Sequence, residues 1–430
     1  MRLGQLVLDP APVRGNRDFQ LVLTSRTLWL LGIGLTAVAV SVQVFEITGS
    51  SAPVALVSLT LGAMLLVGFL IGGVLADRVD RKKLVVLTSL GATLGFVGLA
   101  VNALLPAPQL WVVFVLAGLH GLVDGIGESA LTAVVPSLVG ENQLAAAGAL
   151  LAVTTQLGGI VGPALSGVLI GGPGLAFAYA AAAAMALGTT GLLALVRPMP
   201  TVGGGPDEDG SEGTLREAVR FVRGNRLIAS LLLVDLGAML FAMPGALYPQ
   251  LAQERLGGGP ELVGLLYTAP AVGAFIGSIV SGWTSTARRS GLILIGVAAL
   301  WGVAAAGVGL STSLVLVLVL LGVGGLADVF SEILRRALLQ GNTPDRLQGR
   351  VGSVWLAQTI TGPSLGGVLA GLAAGWMGVG PAIAVGGAVC VVVVLLVGAA
   401  YPELRRASVV KDGGVKDGGV KDSAAKDSVV

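Results

Sequence analysis

The sequence predicts an all-α membrane protein in which twelve transmembrane helices form two pseudo-symmetric six-helix halves. Of its 430 residues, 54% are hydrophobic and only 12% are charged, whereas about a quarter of the residues of a soluble protein are charged. Apolar runs of about 20 residues, the length of a helix that crosses a bilayer, recur along the chain. Runs such as residues 314–326 are apolar on every face, which excludes a β-barrel with alternating faces.

Twelve spans are predicted from these runs, and a polar linker separates the sixth from the seventh. The spans are residues 27–48, 52–76, 84–105, 110–134, 146–170, 174–196, 227–250, 262–284, 290–311, 313–334, 350–373 and 379–400. The predicted organisation is a cytosolic arm at 1–26, a first half at 27–196, a cytosolic linker at 197–226, a second half at 227–400 and a disordered cytosolic tail at 401–430.

The distribution of basic residues predicts the orientation. With these spans, all of the 26 Lys and Arg residues except Arg255 fall on the side of the N-terminus. Cytosolic loops carry the excess of basic residues in membrane proteins. We therefore expect both termini in the cytosol and an even number of spans in the cytoplasmic (inner) membrane.

The two halves carry a weak internal repeat. Residues 122–129 (LVDGIGES) resemble residues 326–333 (LADVFSEI), and residues 162–169 (GPALSGVL) resemble residues 362–369 (GPSLGGVL). Such repeats between six-helix halves are typical of secondary transporters, which handle the substrate near the membrane midplane.

The charged turn after the second span resembles the loop signature of the major facilitator superfamily, Gly-x-x-x-Asp-Arg-x-Gly-Arg-Lys. The matching residues are Gly73, Asp77, Arg78, Arg81 and Lys82. Asp80 stands where the general pattern has Gly, a departure typical of the enterobactin-exporter branch, which residues 101–108, 136–150 and 339–358 also resemble. The resemblance implies the major facilitator fold. It also implies that the loop is a conformational latch whose Asp caps a helix end and pairs with a basic residue.

A second motif resembles the Gly-Pro signature of exporters in this superfamily. It comprises Gly158, Gly162 and Pro163 in the fifth span, with Ser166 in place of one Gly, and Gly362 and Pro363 in the eleventh. A proline inside a membrane helix removes a backbone hydrogen bond and is expected to kink the helix. A purely structural bend is the other reading of this motif, although its presence favours export over import.

Six acidic residues lie inside the predicted spans, and ionisable residues inside a membrane are usually functional. They are Glu46, Asp124, Glu128, Asp235, Asp328 and Glu332, all in the first, fourth, seventh and tenth spans, which line the central cavity in the superfamily fold. Asp124, Glu128 and the only histidine, His120, share one helix face. Excluding Glu46, these acids and His120 are the candidates for proton or substrate coupling.

Alternative roles remain open for several of them. Glu46 lies near the outer surface, where an interfacial role fits. Glu332 can pair with Arg335 or Arg336, and His120 can simply line the pore. Asp124, Asp235 and Asp328 have no basic partner in the sequence, which favours them for coupling. The cavity is expected to hold almost no basic residues, so polyanionic substrates are disfavoured.

The predicted function is a secondary active exporter, driven by protons, of a siderophore or small amphiphile. The alternative is a multidrug efflux pump for cationic or neutral lipophilic drugs. One departure from that class is Gly121, where drug–proton antiporters of the superfamily carry Arg. A membrane enzyme or a solute importer fits less well, since the chain has one His and no Lys between Lys83 and Lys411. The expected partners are the bilayer, a small molecule and the proton, without a cofactor, a metal or nucleic acid.

Overall fold

A computed structural model describes residues 12–140, 143–197 and 220–409. The regular structure in these ranges is helical, and most of the predicted linker and tail lies outside them. The helices are α1 (Arg17–Thr48), α2 (Ser51–Arg78), α3 (Arg81–Leu104), α4 (Leu110–Leu138), α5 (Leu144–Gly171), α6 (Leu175–Ala194), α7 (Arg226–Phe241), α8 (Tyr248–Glu254), α9 (Pro260–Val280), α10 (Ser290–Leu310), α11 (Leu314–Asn342), α12 (Asp345–Met377), α13 (Val379–Ala400) and the short α14 (Pro402–Arg406).

Within the described ranges, eleven helical segments are long and apolar enough to cross a membrane. They account for every predicted span except the eleventh, which lies in α12. That helix has 33 residues, more than the roughly 20 that a span needs. Polar and small residues between 353 and 366 make it less apolar than the others. Because α12 packs against α2 and α7, it completes the second six-helix half.

Several helix boundaries differ from the sequence prediction, and two of the differences have a local cause. The first span begins at Arg17 rather than at residue 27, because the side chain of Asn16 accepts a hydrogen bond from the Phe19 amide and caps the helix there. The seventh span is broken: α7 ends at Phe241, and α8 starts at Tyr248. Pro244 lies in the break, where it lacks an amide proton and disfavours a helical residue before it.

The two halves repeat one packing scheme. In the first half α1 packs on α5, α2 on α4 and α3 on α6; in the second half α7 packs on α12, α9 on α11 and α10 on α13. The α2–α4 contact is close because several of the residues that form it are glycines, which have no side chain. A Cβ at Gly68 or at Gly125 would lie 2.9 Å or less from the backbone of the facing helix. Small residues of this kind let membrane helices approach closely.

Contacts between the halves concentrate on one side of the membrane. We call the side where α1 begins and α13 ends the terminal side, and the opposite one the far side. On the far side Ser51 Oγ donates to Gln250 Oε1 (2.7 Å). There α2 also packs on α12, and a Cβ at Gly371 would lie 3.0 Å from Ala52 Cα. Towards the terminal side of α12, a Cβ at Gly349 would meet no atom within 4 Å. The halves therefore meet on the far side.

We expect the α2–α4 contact to be sensitive to added volume. The variant Gly125→Val should lower the thermal unfolding midpoint of the purified protein in detergent, since overpacking a close contact costs about 1–3 kcal/mol. Gly95→Val is the matched control, because a Cβ at Gly95 in α3 meets no atom within 4 Å. Equal unfolding midpoints for the two variants would show that the α2–α4 contact is no more sensitive to added volume than the open position at Gly95.

Candidate functional site

A column of ionisable side chains runs along one face of α4. His120, Asp124 and Glu128 follow each other at intervals of one helical turn. Trp29 Nε1 in α1 donates a hydrogen bond to Asp124 Oδ1 (3.0 Å). Arg26 Nη1, also in α1, lies 3.1 Å from both carboxylate oxygens of Glu128. The column therefore faces α1, inside the first half.

Glycine packing explains why the column faces that way. A neighbouring face of α4 carries Gly121 and Gly125, which lie against the α2 backbone at Leu61 and Leu65. That contact leaves no room for polar side chains. Drug–proton antiporters of the superfamily carry Arg at the position of Gly121. In this protein an Arg there would collide with Leu61, which gives a physical reason for the glycine.

The column borders a small cavity between α1, α3, α4 and α6. The space in it available to the centres of water molecules is about 30 Å³. A cavity needs about 10–15 Å³ by this measure to hold one water molecule, so this one has room for about two. Its polar lining is provided by Ser25, Arg26, Thr88, Ser89, Asp124, Glu128 and Thr189. The cavity is too small for an organic substrate.

His120 closes the inner end of the column. Its side chain is buried, and its ring centroid lies 4.8 Å from that of Phe96 and 5.9 Å from that of Trp29. Its Nδ1 atom has no hydrogen-bond partner among the described residues.

In the second half, Asp235 forms a buried ion pair, which corrects the expectation that it has no basic partner. Arg335 Nη1 in α11 lies 2.9 Å from Asp235 Oδ1, and both side chains are almost fully buried (2% and 0% exposed). Gln358 Nε2 donates to the other carboxylate oxygen (2.9 Å), and Arg335 also donates to Ser331 Oγ (3.1 Å). The pair joins α7 to α11, and its near-complete burial is typical of a structural ion pair, although Arg335 Nε has no hydrogen-bond partner among the described residues.

Glu332 lies apart from this pair. Arg336 Nη2 is 3.1 Å from Glu332 Oε1, and both side chains are about half exposed. The Arg336 guanidinium also stacks 4.9 Å from the centre of the Trp355 ring. Exposed pairs one turn apart contribute about 0.3–0.5 kcal/mol, so Glu332 is the weakest of the candidate coupling residues. Glu46, near the far-side end of α1, is exposed.

Asp328 lines a larger cavity in the second half. The cavity lies between the α7–α8 break, α9, α10 and α11, and has about 190 Å³ available to water centres. Three aromatic residues, Tyr248, Tyr267 and Trp301, share it with Asp328. Tyr267 donates its hydroxyl to the Gly245 carbonyl in the break (3.0 Å). Among the described residues, the Asp328 carboxylate forms no hydrogen bond and no ion pair within 4 Å, although it lies within electrostatic reach of Arg335.

The predicted latch lies at the α2–α3 turn on the terminal side. Asp80 Oδ1 accepts a hydrogen bond from the Lys83 amide (3.2 Å) and thereby caps α3. The acid that departs from the superfamily pattern is thus the N-cap of the next helix. Gly73 faces Ser129 of α4, and Arg78 is exposed. The side chain of Asp77 is outside the described residues. Arg81 and Lys82 form the first turn of α3.

The exporter Gly-Pro motif forms helix contacts in both halves. Gly158, Gly162 and Pro163 of α5 pack against α1, where a Cβ at Gly34 would lie 2.7 Å from the Gly158 carbonyl oxygen. Ser166, which replaces a motif Gly, donates to the Leu35 carbonyl (2.8 Å). In α12 the motif comprises Gly362 and Pro363, and Gly362 faces Met239 of α7. Both helices continue through their prolines.

Two residues that matter at these sites were placed wrongly from the sequence. Arg26 was assigned to the cytosolic arm and Arg335 to a cytosolic segment, so the interior was expected to lack basic residues. Both instead lie inside helices, where they pair with Glu128 and Asp235. Both arginines lie near the end of a predicted span, where a basic residue normally indicates only the orientation of the protein in the membrane. The sequence therefore showed no sign that they form internal ion pairs.

Comparison with known proteins agrees with the fold. Residues 10–411 match the family described as transmembrane secretion effector. The enterobactin exporter EntS of Citrobacter koseri is 34% identical over 402 residues, which cover 93% of this chain and 95% of the relative. EntS of Salmonella typhimurium is 35% identical over 411 residues, 93% of this chain and 96% of the relative.

Solved structures of other transporters share the fold at low sequence identity. A POT family transporter in complex with 5-aminolevulinic acid superposes with a TM-score of 0.71 at 13% identity, covering 90% of this chain and 97% of that structure. The nucleoside transporter NupG gives a TM-score of 0.68 at 13% identity, covering 89% and 99%. The chain therefore belongs to the transmembrane secretion effector family of the major facilitator superfamily and is a multi-pass membrane transporter, not an enzyme.

Proposed function

We propose that this protein is a proton-driven exporter of a siderophore across the cytoplasmic membrane. The observation that carries the proposal is the match to proteins named enterobactin exporters, at 35% identity over 93% of the chain. Export by a transporter of this superfamily needs one site for the substrate and one for the coupling ion. The two cavities differ in size and lining in a way that fits this division.

The basic residues support an orientation in which the terminal side faces the cytosol. The α2–α3 turn with Arg78, Arg81 and Lys82 lies on that side, and so does the end of α14 with Arg405 and Arg406. Positive charges are retained in the cytosol during membrane insertion. In this orientation the contacts between the halves close the extracellular side, and a substrate enters from the cytosol. The latch residues would then stabilise the opposite, outward-open state.

The cavity of the second half is the better candidate for contact with the substrate. Its volume, about 190 Å³ for water centres, is several times that of the first cavity. Its aromatic rings can stack on a planar group, and the Asp328 carboxylate can accept hydrogen bonds from hydroxyl groups. An iron-free chelator with aromatic hydroxyls offers both features.

The same cavity also favours a second candidate function, the export of cationic amphiphiles. An unpaired carboxylate beside Tyr248, Tyr267 and Trp301 suits an ammonium group, since aromatic faces attract cations. The two candidates share one site and differ in whether the substrate donates a hydroxyl or carries a charge.

The substrate is tested by mass spectrometry of the medium of iron-limited cultures with and without the gene. For a siderophore exporter, we expect a secreted chelator to fall in the medium of the deletion strain and to accumulate in its cells. Complementation with the intact gene should restore secretion. An unchanged medium, together with increased sensitivity to lipophilic cations, would favour the second candidate instead.

Proton coupling is assigned to Asp124 rather than to Asp328. We expect Asp124→Asn to abolish the dependence of export on an imposed pH difference, since the amide cannot take up a proton. Asp328→Asn should raise the substrate KM and retain the pH dependence. Initial export rates in vesicles at several pH differences separate the two effects. A retained pH dependence in Asp124→Asn would contradict the assignment.

Asp235 is expected to contribute to stability and not to coupling. Asp235→Asn leaves the buried Arg335 guanidinium without its counter-ion, and breaking such a pair costs about 3–5 kcal/mol. The folded yield, measured by size-exclusion chromatography in detergent, should fall sharply. The double variant Asp235→Asn with Arg335→Gln should recover part of it. A single variant that folds normally would show that the pair is dispensable.

A further inference from the structure

The cavity that contains Asp328 has an acid in its lining and no base. Among the described residues that line it there is no Lys, Arg or His. Arg335 lies within electrostatic reach of Asp328, but its Nη1 atom contacts Asp235 at 2.9 Å. The carboxylate of Asp328 can therefore accept hydrogen bonds from a ligand, while the described lining offers no cation to an anionic one.

Aromatic side chains make the rest of the lining unfavourable for negative charge. Tyr248 and Tyr267 meet edge to face, with ring centroids 4.8 Å apart, and Trp301 lines the cavity with them. Tyr248 and Trp301 are each only 6% exposed, so surrounding side chains hold both rings in place. The face of an aromatic ring carries partial negative charge, which attracts ring edges and cations but not anions. This lining suits a neutral ring.

The volume of the cavity limits how much of a chelator it can hold. With about 190 Å³ available to water centres, the cavity has room for roughly a dozen water molecules. A single hydroxylated aromatic ring takes the place of fewer water molecules than that. A metal complex is much larger, because it gathers several such rings around one ion. The cavity can therefore receive one arm of a chelator but not the whole metal complex.

Metal binding removes the groups that Asp328 can recognise on a chelator. A hydroxyl that coordinates a metal ion gives up its proton, so metal binding releases protons. When each arm supplies a pair of such oxygens, their charges outweigh that of a ferric ion and the complex is anionic. These oxygens donate no hydrogen bond, so a carboxylate facing them has no donor and meets a like charge. A site that bonds a substrate hydroxyl can reject an analogue without it by about 10⁴–10⁵-fold.

We propose that Asp328 makes the cavity of the second half selective for the metal-free form of a chelator. A neutral hydroxylated ring enters between the aromatic side chains and donates hydrogen bonds to the carboxylate. The metal complex is excluded because its oxygens are deprotonated, its charge is negative and its size exceeds the cavity. Asp328 is thus a specificity-determining residue, and bound metal stays in the cell while the free chelator leaves. This inference rests on the proposed export of a siderophore but not on proton coupling.

The test compares the export of one chelator in two forms. Inside-out membrane vesicles that contain the protein receive a synthetic chelator with catechol arms, either metal-free or as its gallium(III) complex, which resembles the ferric complex but is redox-inert. Uptake is measured by mass spectrometry, and vesicles without the protein give the background. For the unmodified protein we expect kcat/KM for the metal-free form to exceed that for the complex by at least about 100-fold.

Asp328→Asn should change the two forms in opposite directions. The amide keeps the size of the side chain, removes its charge and adds an N–H donor that can bond a deprotonated oxygen. Export of the metal-free form should become weaker, and inhibition of export by the complex should become stronger. The selectivity should fall about tenfold or more, the effect of one hydrogen bond to a charged group. A merely structural defect lowers the apparent affinity for both forms together.

Glu46→Gln is the matched control. It neutralises an exposed acid on α1, outside the cavity, and should leave the selectivity unchanged. If Asp328→Asn fails to fold, as judged by size-exclusion chromatography in detergent, Asp328→Ala replaces it, because it removes the carboxylate without adding volume. Loss of folded protein in both variants would assign Asp328 a structural role and overturn the inference.

The outcomes distinguish this inference from the function on which it rests. Equal export of the two forms by the unmodified protein, or a selectivity that survives in Asp328→Asn, would overturn the inference and leave the siderophore function standing. If neither form is exported while lipophilic cations are, the siderophore function fails and the inference fails with it.

Discussion

A charge in the hydrocarbon region of a membrane must find a counter-ion or water, and this constraint determines where the ionisable residues of this protein lie. The helices satisfy their backbone hydrogen bonds internally, and eleven helical segments of the described ranges are apolar enough to cross a membrane. The interior charges are therefore directed inward, towards other helices of the same half. Arg26, Glu128, Asp235 and Arg335 form two ion pairs in this way, and Asp124 accepts a hydrogen bond from Trp29.

The constraint is met differently in the two halves. In the second half the ion pair is almost fully buried and has hydrogen bonds with Gln358 and Ser331, and Asp328 lies in a separate aromatic cavity. In the first half the ion pair and the unpaired acid share a cavity of the size of two water molecules. The two halves of a pseudo-symmetric fold thereby hold cavities of different size and lining, the basis on which we propose a substrate site in the second half and a proton site in the first.

Close helix packing makes this arrangement possible. Glycines on one face of α4 bring the helix against α2, so its ionisable face is directed towards α1 and α3. The Gly-Pro motif of α5 does the same for the α1–α5 contact, and Ser166 adds a hydrogen bond there. Between the halves, α2 meets α12 and α5 meets α9. In transport by alternating access the two halves of such a fold move largely as rigid bodies, and the close packing described here lies inside each half.

The sequence by itself determined the fold class, the number of spans, the internal repeat and the superfamily, because these depend on the length and apolarity of runs and on local motifs. It also identified the acids on α4, α7 and α11, since an acid inside an apolar run is conspicuous. Only the tertiary structure decided which of them are paired. Arg26 and Arg335 are far from Glu128 and Asp235 in the sequence, and each joins its partner only because two helices pack side by side. The sizes of the two cavities could not be predicted from the sequence either, because they depend on how side chains of four helices fill the space between them.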